Sequence, residues 1–279
     1  MRLLDLHLRA KGVLKSAGIE DYAFETGLLL EHFFGIKPYR LAVNAEICAD
    51  EEIVPSFERA LEKRAEGYPL QYILGKWEFY GLPFYVGEGV LIPRPDTETL
   101  VEAAMELSGE NPMIIDLCSG SGCIAVALEK NIKGAKVFAV EFSKAAFSYL
   151  ERNIELNSSK VVPVLGDVLD EELLDGFEAA DMIVSNPPYL SDEDMQNLQR
   201  EVGFEPETAL FGGGDGMDFY RRISALWKKK LKSGGHMLFE VGIGQAGQVC
   251  NILKSEGFSE IEAKKDLNGI ARVVFGKYL

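Results

Sequence analysis

Apolar residues recur at helical spacing through the first ~70 positions. Leu3, Leu6, Ala10, Val13 and Ala17 form one stripe, and Gly18 stops it. Ala23, Phe24, Gly27, Leu28, Leu30 and Phe33 form a second, ending before Gly35 and Pro38. Asp50 is placed to cap a third helix, with Glu51 and Glu52 in its first turn and Phe57, Leu61 and Ala65 on its inner face. Residues 71–92 then change character: Tyr72, Trp77, Phe79, Tyr80, Phe84 and Tyr85 crowd around Gly75, Gly81 and Pro83, which predicts a β-hairpin. Asp96 is placed to cap a helix through Leu100, Val101 and Ala104.

Beyond that point strand and helix patterns alternate, as in a parallel sheet covered on both faces. Strands are expected at 113–116, 136–141, 161–165, 181–185, 235–241, 260–264 and 271–276, and helices at 122–130, 144–156, 216–231 and 244–256. The last two strands have no helix between them, so they should pair as an antiparallel hairpin at one edge. The expected organisation is a helical domain (1–70), a hairpin linker (71–92) and an α/β domain (93–279).

Composition narrows the functional classes. The 279 residues are 47% apolar and 26% charged, and no apolar run approaches the ~18 residues that span a bilayer. The N-terminus lacks the apolar core and cleavage site of a secretory leader. Cys48, Cys118, Cys123 and Cys250 have no metal-binding spacing and read as reduced thiols, which predicts a cytoplasmic protein without a metal centre. His7, His32 and His236 form no motif. A net charge of −15 opposes a long nucleic acid as partner, because phosphate binding is driven by basic faces. The one dense basic run, Lys228, Lys229, Lys230 and Lys232, reads as a solvated helix end whose cations meet the carbonyl end of the dipole.

Chemistry concentrates at the predicted strand ends. Ser185-Asn186-Pro187-Pro188-Tyr189 follows the largely apolar run 180–184. Such a segment suits a planar –NH2 group: the Asn186 carbonyl accepts one N–H, the Pro187 carbonyl accepts the other, the prolines hold the loop rigid, and Tyr189 offers a flat face. Asp116-Leu117-Cys118-Ser119-Gly120-Ser121-Gly122 ends the first strand of the α/β domain and opens a helix, where glycines admit a ligand to unpaired N–H groups. The third glycine of the dinucleotide fingerprint is missing, which favours a nucleoside over a pyrophosphate. Glu141 ends the second strand, in register either to accept from both ribose hydroxyls or to stand as a surface acid. Asp167 and Val168 follow the third strand. Asp167 suits an adenine amino group or the cap of its own turn, and Val168 suits packing on the ring. S-adenosylmethionine fits a crevice lined by these strand ends.

Taken with the stretches 69–75, 91–98 and 205–216 and the segment from Lys265 to Arg272, these motifs resemble the HemK/PrmC family, the protein-(glutamine-N5) methyltransferases of peptide-chain release factors. Two departures are Cys118 for a common Gly and Glu141 for a common Asp. The resemblance implies a Rossmann-like methyltransferase with a seven-stranded, mostly parallel sheet, and S-adenosylmethionine as donor with S-adenosylhomocysteine as product. It further implies a Gly-Gly-Gln glutamine of class I release factors as acceptor; the helical domain, which carries no catalytic signature, reads either as a docking unit for a macromolecular substrate or as a packing appendage. Asn186, Pro187 and Tyr189 would then be catalytic. Asn186 to Tyr189 would hold the substrate. Residues 118–122, Glu141, Asp167, Val168 and Asn186 would hold the cofactor. Arg94, Glu98, Glu205 and Pro206 read as structural supports or as contacts at the substrate entrance. The Asn-Pro-Pro-Tyr motif alone serves an adenine amino group equally well, and a non-catalytic scaffold of the same fold is the third reading.

Overall fold

A computed structural model describes residues 1–279, the side chain of Ala42 excepted. The chain divides into two compact units, one of Met1–Gly75 with Gln199–Phe204 and one of Lys76–Leu198 with Glu205–Leu279.

The first unit is helical: α1 (Leu3–Ser16), α2 (Tyr22–Phe34), α3 (Pro38–Val43), α4 (Val54–Ala65) and α5 (Leu70–Leu74). Leu3, Leu6, Ala10 and Leu14 of α1 pack with Leu29, Leu30, Phe57 and Leu61. The expected stripe is corrected at Val13, which is exposed while Leu14 is buried. At about 100° per residue, Leu14 lies only about 20° around the helix from Leu3, and Val13 about 80° to the other side. Phe24 likewise points outward. Asp50 does not cap α4. Its carboxylate accepts from Glu52 N in the turn before the helix, and Pro55 lies in the first turn of α4.

A buried cation ties this unit together. Arg64 is 1% exposed, and its guanidinium holds Glu25 through two N–H···O bonds of 2.5 and 2.9 Å. The same side chain donates to Glu201 and to the Tyr68 carbonyl, while Phe204 packs edge-on against Tyr68. A segment far along the chain therefore completes a helical core.

The second unit opens with a hairpin, β1 (Lys76–Phe79) and β2 (Leu82–Tyr85), paired antiparallel from Lys76↔Tyr85 to Phe79↔Leu82. It is shorter than the crowded aromatics suggest, since residues 70–74 wind as α5. Proline brings the chain into a 3-10 turn over Pro95–Thr97, continued by α6 (Glu98–Leu107). Asp96 makes no cap; it pairs with Arg272 at 2.7 Å. The remaining elements are β3 (Met113–Leu117), α7 (Cys123–Asn131), β4 (Lys136–Glu141), α8 (Lys144–Leu156), β5 (Val162–Leu165), β6 (Ala180–Ser185), α9 (Asp192–Gln196), α10 (Asp218–Trp227), β7 (Leu231–Glu240), α11 (Ala246–Ser255), β8 (Phe258–Lys265) and β9 (Ala271–Tyr278).

The sheet order is β5-β4-β3-β6-β7-β9-β8, parallel from β5 through β7 and antiparallel over the last two pairings. Its first five strands have the 3-2-1-4-5 order of a Rossmann-like doubly wound sheet, which reverses between β3 and β6. Alternate side chains feed two cores. Ile114, Val137, Val184 and Leu238 meet α6 and α7 on one face, while Ile115, Val140, Ile183 and Phe239 meet α10 and α11 on the other. Burial on both faces explains the near-continuous apolar strands, each large side chain contributing about 1.5–3 kcal/mol. The hairpin is stitched to α8 by Asn153, which is fully buried, accepts from Tyr85 N at 2.6 Å and donates to Tyr85 O and Ser121 O.

Replacing Arg64 with Met strands the Glu25 carboxylate in a largely buried position. We expect urea unfolding followed by circular dichroism to show a loss of about 3 kcal/mol; a wild-type midpoint would refute this account of the helical core.

Candidate active site

A cavity of about 560 Å³ opens at the carboxyl ends of β3, β4, β5 and β6. That is where open α/β sheets bind ligands, beside the reversal in strand order. Of the residues singled out from sequence, Cys118, Ser119, Gly120, Ser121, Glu141, Asp167, Val168, Asn186 and Pro188 line it. Gly122, Pro187 and Tyr189 lie outside the lining. Gly122 has a packing reason to be glycine: its φ is +79°, and a Cβ there would sit 2.4 Å from Leu150 Cδ1. Cys118 adopts φ +60° without being glycine, a conformation that costs an L-residue roughly 1–2 kcal/mol.

The glycine loop is held from behind by Glu141. One carboxylate oxygen accepts from Gly120 N and the other from Ser143 N, each at 2.7 Å. Burial raises this carboxyl above its ordinary range, and the backbone N–H groups of Ser143, Gly120 and Phe142 oppose that rise. With about four lone-pair sites, the carboxylate keeps capacity for a further donor. Beneath the loop, the fully buried Asp116 has both oxygens without a hydrogen-bond partner. Burial pushes its carboxyl up to about 8, so it is largely protonated at neutral pH. Asp167 caps its own turn, accepting from Leu169 N at 2.8 Å, while also lining the cavity.

The loop after β6 begins at Ser185, whose hydroxyl donates to Leu117 O at 2.8 Å. Asn186 is half-buried and faces the cavity, whereas Pro187 is buried. Tyr189 is half-buried, and burial beside Glu240 pushes its phenol up to about 12. Motif inspection gave no chemical part to the opposite wall, formed by residues 90–94 with Thr97 and by residues 206–209 with Phe211 and Phe219. Glu205 joins its two segments, accepting from Ile92 N at 3.0 Å and from the Arg94 guanidinium. Glu98 instead holds the hairpin through Tyr80 N. Phe142, 62% exposed directly after Glu141, also lines the cavity. An aromatic left in water beside a strand-end acid is the sequence signal that would have found it.

Two family models match, the PrmC N-terminal domain over residues 5–75 and the methyltransferase small domain over residues 95–215. A release factor glutamine methyltransferase of Geobacter sulfurreducens is 40% identical, over 96% of this chain and 93% of that protein. Its counterpart in Clostridium acetobutylicum is 38% identical over 98% of both. The chain belongs to the release factor glutamine methyltransferase family. Among solved structures, a methyltransferase from Pyrococcus furiosus shares the fold of this family member with a TM-score of 0.55 at 18% identity, covering 71% of this chain and 90% of that one.

Lysines 228–230 stand at the solvent-facing end of α10 as expected, with Lys229 and Lys232 exposed, and they also find local partners. Lys228 pairs with Glu256, Lys229 with Glu171 and Lys232 with Asp181, and Lys230 donates to Phe177 O. Among the described residues, no group of side chains is arranged to hold a metal, and no helix is long and apolar enough to cross a membrane.

Asp116 gives this family member a testable pH signature. The folded protein holds the Asp116 proton up to about pH 8, whereas the unfolded chain releases it near the ordinary carboxylate value. The folded state therefore binds more protons between those limits, and its stability falls as pH rises through them. In Asp116→Asn that loss is absent. We expect the melting temperature of the variant, relative to wild type, to climb between about pH 5 and about pH 8.5; a difference independent of pH would contradict the assignment.

Proposed function

We propose that this chain transfers a methyl group from S-adenosylmethionine to the side-chain amide nitrogen of a glutamine in class I peptide-chain release factors, within their Gly-Gly-Gln motif, leaving S-adenosylhomocysteine. The observation that carries the reading is the joint presence of Asn186, the glycine loop and Glu141 around one cavity at the strand-order reversal, in a chain of this family. The residues suit the donor. Glu141 retains acceptor capacity for ribose hydroxyls, Asp167 and Val168 suit the base, and residues 118–121 line the same cavity.

When bound, S-adenosylmethionine supplies an electrophilic methyl group on a sulfonium. The chain's own residues solve the acceptor's problem, since an amide nitrogen is a poor nucleophile while its lone pair is conjugated with the carbonyl. Asn186 Oδ1 accepts one N–H and the Pro187 carbonyl the other, and Tyr189 steadies the amide plane. Fixing both N–H bonds aims the nitrogen and removes rotational freedom, an orientation effect. The same two acceptors stabilise positive charge as it develops on nitrogen. The surplus proton leaves to water afterwards.

We assign docking of the release factor to the helical part (1–70), bridging to 71–92 and methyl transfer to 93–279. A cytoplasmic location accords with this substrate. A direct nucleic-acid substrate is disfavoured by the net charge of −15 and by the pairing of the one lysine run with acids.

The decisive assay incubates the protein with labelled S-adenosylmethionine and, separately, a class I release factor, DNA and RNA. Label on a release-factor glutamine is expected; label only on adenine, or none at all, would overturn the reading. Asn186→Ala is expected to abolish turnover with cofactor affinity retained, and wild-type turnover would refute its role.

A further inference from the structure

The Asn186–Pro188 segment is suspended between two anchors. At its start, Ser185 belongs to β6 and is tied to Leu117 O. At its end the sheet no longer supports the chain, and other groups take over. Leu190 N donates to Leu210 O, and Gly212 N donates to Leu190 O. The carbonyl of Tyr189, one residue earlier, is taken by a side chain.

That side chain is Gln245, in the turn between β7 and α11. Its Nε2 donates to Tyr189 O at 2.8 Å, and its Oε1 accepts from Gly242 N at 2.9 Å. The partners fix which way the amide points, because a carbonyl can only accept and a backbone N–H can only donate. The Tyr220 hydroxyl, fully buried on α10, lies 3.4 Å from the same Oε1. Its single proton goes to the Glu240 carbonyl at 2.9 Å, so this contact is secondary. The socket is tight on every side. A Cβ on Gly216, where φ is +73°, would lie 2.3 Å from Tyr189 O and 3.0 Å from Gln245 Nε2. A Cβ on Gly242 would lie 2.8 Å from Gln245 Oε1 and 3.0 Å from Tyr189 Cδ2. Two glycines are thus cleared so that one amide reaches one carbonyl.

We propose that Gln245 is a positioning residue for methyl transfer: by holding the Tyr189 carbonyl it sets the direction of the acceptors at Asn186 and Pro187. The proposal rests on the reading that those acceptors grip the amide that receives the methyl group. Gln245 lies outside the cavity lining and meets the proposed acceptor segment only through the Tyr189 carbonyl, away from the glycine loop and Glu141. Its effect therefore falls on turnover rather than on cofactor binding.

Gln245→Glu separates the donor from the acceptors with almost no change in shape. An ionised glutamate still accepts from Gly242 N, yet it turns an acceptor toward the Tyr189 carbonyl. A protonated one donates again through its O–H. With full-length protein, labelled S-adenosylmethionine and a class I release factor, we expect kcat to fall on the order of 100-fold at alkaline pH. The cofactor Kd and melting temperature should stay near wild type. The ratio of variant to wild-type kcat should recover as pH falls, and taking that ratio cancels titration of Glu240, Tyr189 and Tyr220 around the socket; Asp96, Arg94 and Arg272 are the other charged groups that face them. Gln245→Leu, with neither donor nor acceptor, should lose turnover without recovery in acid. Wild-type kcat in Gln245→Glu, or a loss of cofactor affinity in proportion to kcat, overturns the proposal. Asn186→Ala run alongside distinguishes the two levels: its full activity overturns the site reading and this proposal with it, whereas its inactivity beside an active Gln245→Glu overturns only the part given to Gln245.

Discussion

Because β3 to β7 pair in parallel, the loops that follow β3, β4, β5 and β6 all leave the sheet at one edge. The reversal of order between β3 and β6 parts their connections and leaves room for a ligand there. Everything at the site follows from that constraint. The glycine loop, the Glu141 carboxylate, the Asp167 turn and the Asn186 segment lie up to 70 residues apart in sequence, yet the sheet delivers them to one rim. Parallel pairing requires crossover helices, crossovers bury both faces, and double burial makes the strands apolar enough to recognise.

That chain of causes explains why most of the architecture was legible. All seven strands of the large sheet appear within a few residues of their expected bounds, including the antiparallel pair β8 and β9 at one edge. The residues at strand ends were legible for the same reason, since a near-continuous apolar run that stops at polar residues or a glycine marks its own carboxyl end. Errors cluster where a short polar side chain had a partner to choose other than the helix start that follows it. Asp50 and Asp96 were both placed as helix caps; one closes a preceding turn and the other pairs with Arg272. Asp167 combines its turn with a place in the cavity wall. Contacts between distant segments were not legible at all. Neither Glu205 reaching Ile92 and Arg94 nor Gln245 reaching Tyr189 leaves a periodic trace, because each depends on how loops fold back over the sheet.

The buried ionisable groups divide by what surrounds them. Arg64 is charged and matched by carboxylates, which keeps the helical core specific in its pairing. Asp116 has no counter-ion and is held largely neutral by burial. Glu240 is intermediate: burial pushes it up to about 7, while Arg272 and Arg94 favour its charged form beside Tyr189. Beneath the glycine loop Asp116 therefore adds no unpaired charge, whereas the surroundings of Tyr189 carry a mixed network of acids and arginines.

The segment Gln199–Phe204, which belongs with the helices although it lies between β6 and α10, bears on how this protein can be dissected. Neither unit is a contiguous stretch of chain. Cutting after Gly75 would deprive Arg64 of one of its carboxylates and Tyr68 of one of its ring partners, and it would leave Glu201 and Phe204 on the other fragment without theirs. A boundary drawn by sequence alone thus falls in the wrong place for expression or domain exchange, and a helical unit moved between relatives would have to carry its six distant residues along.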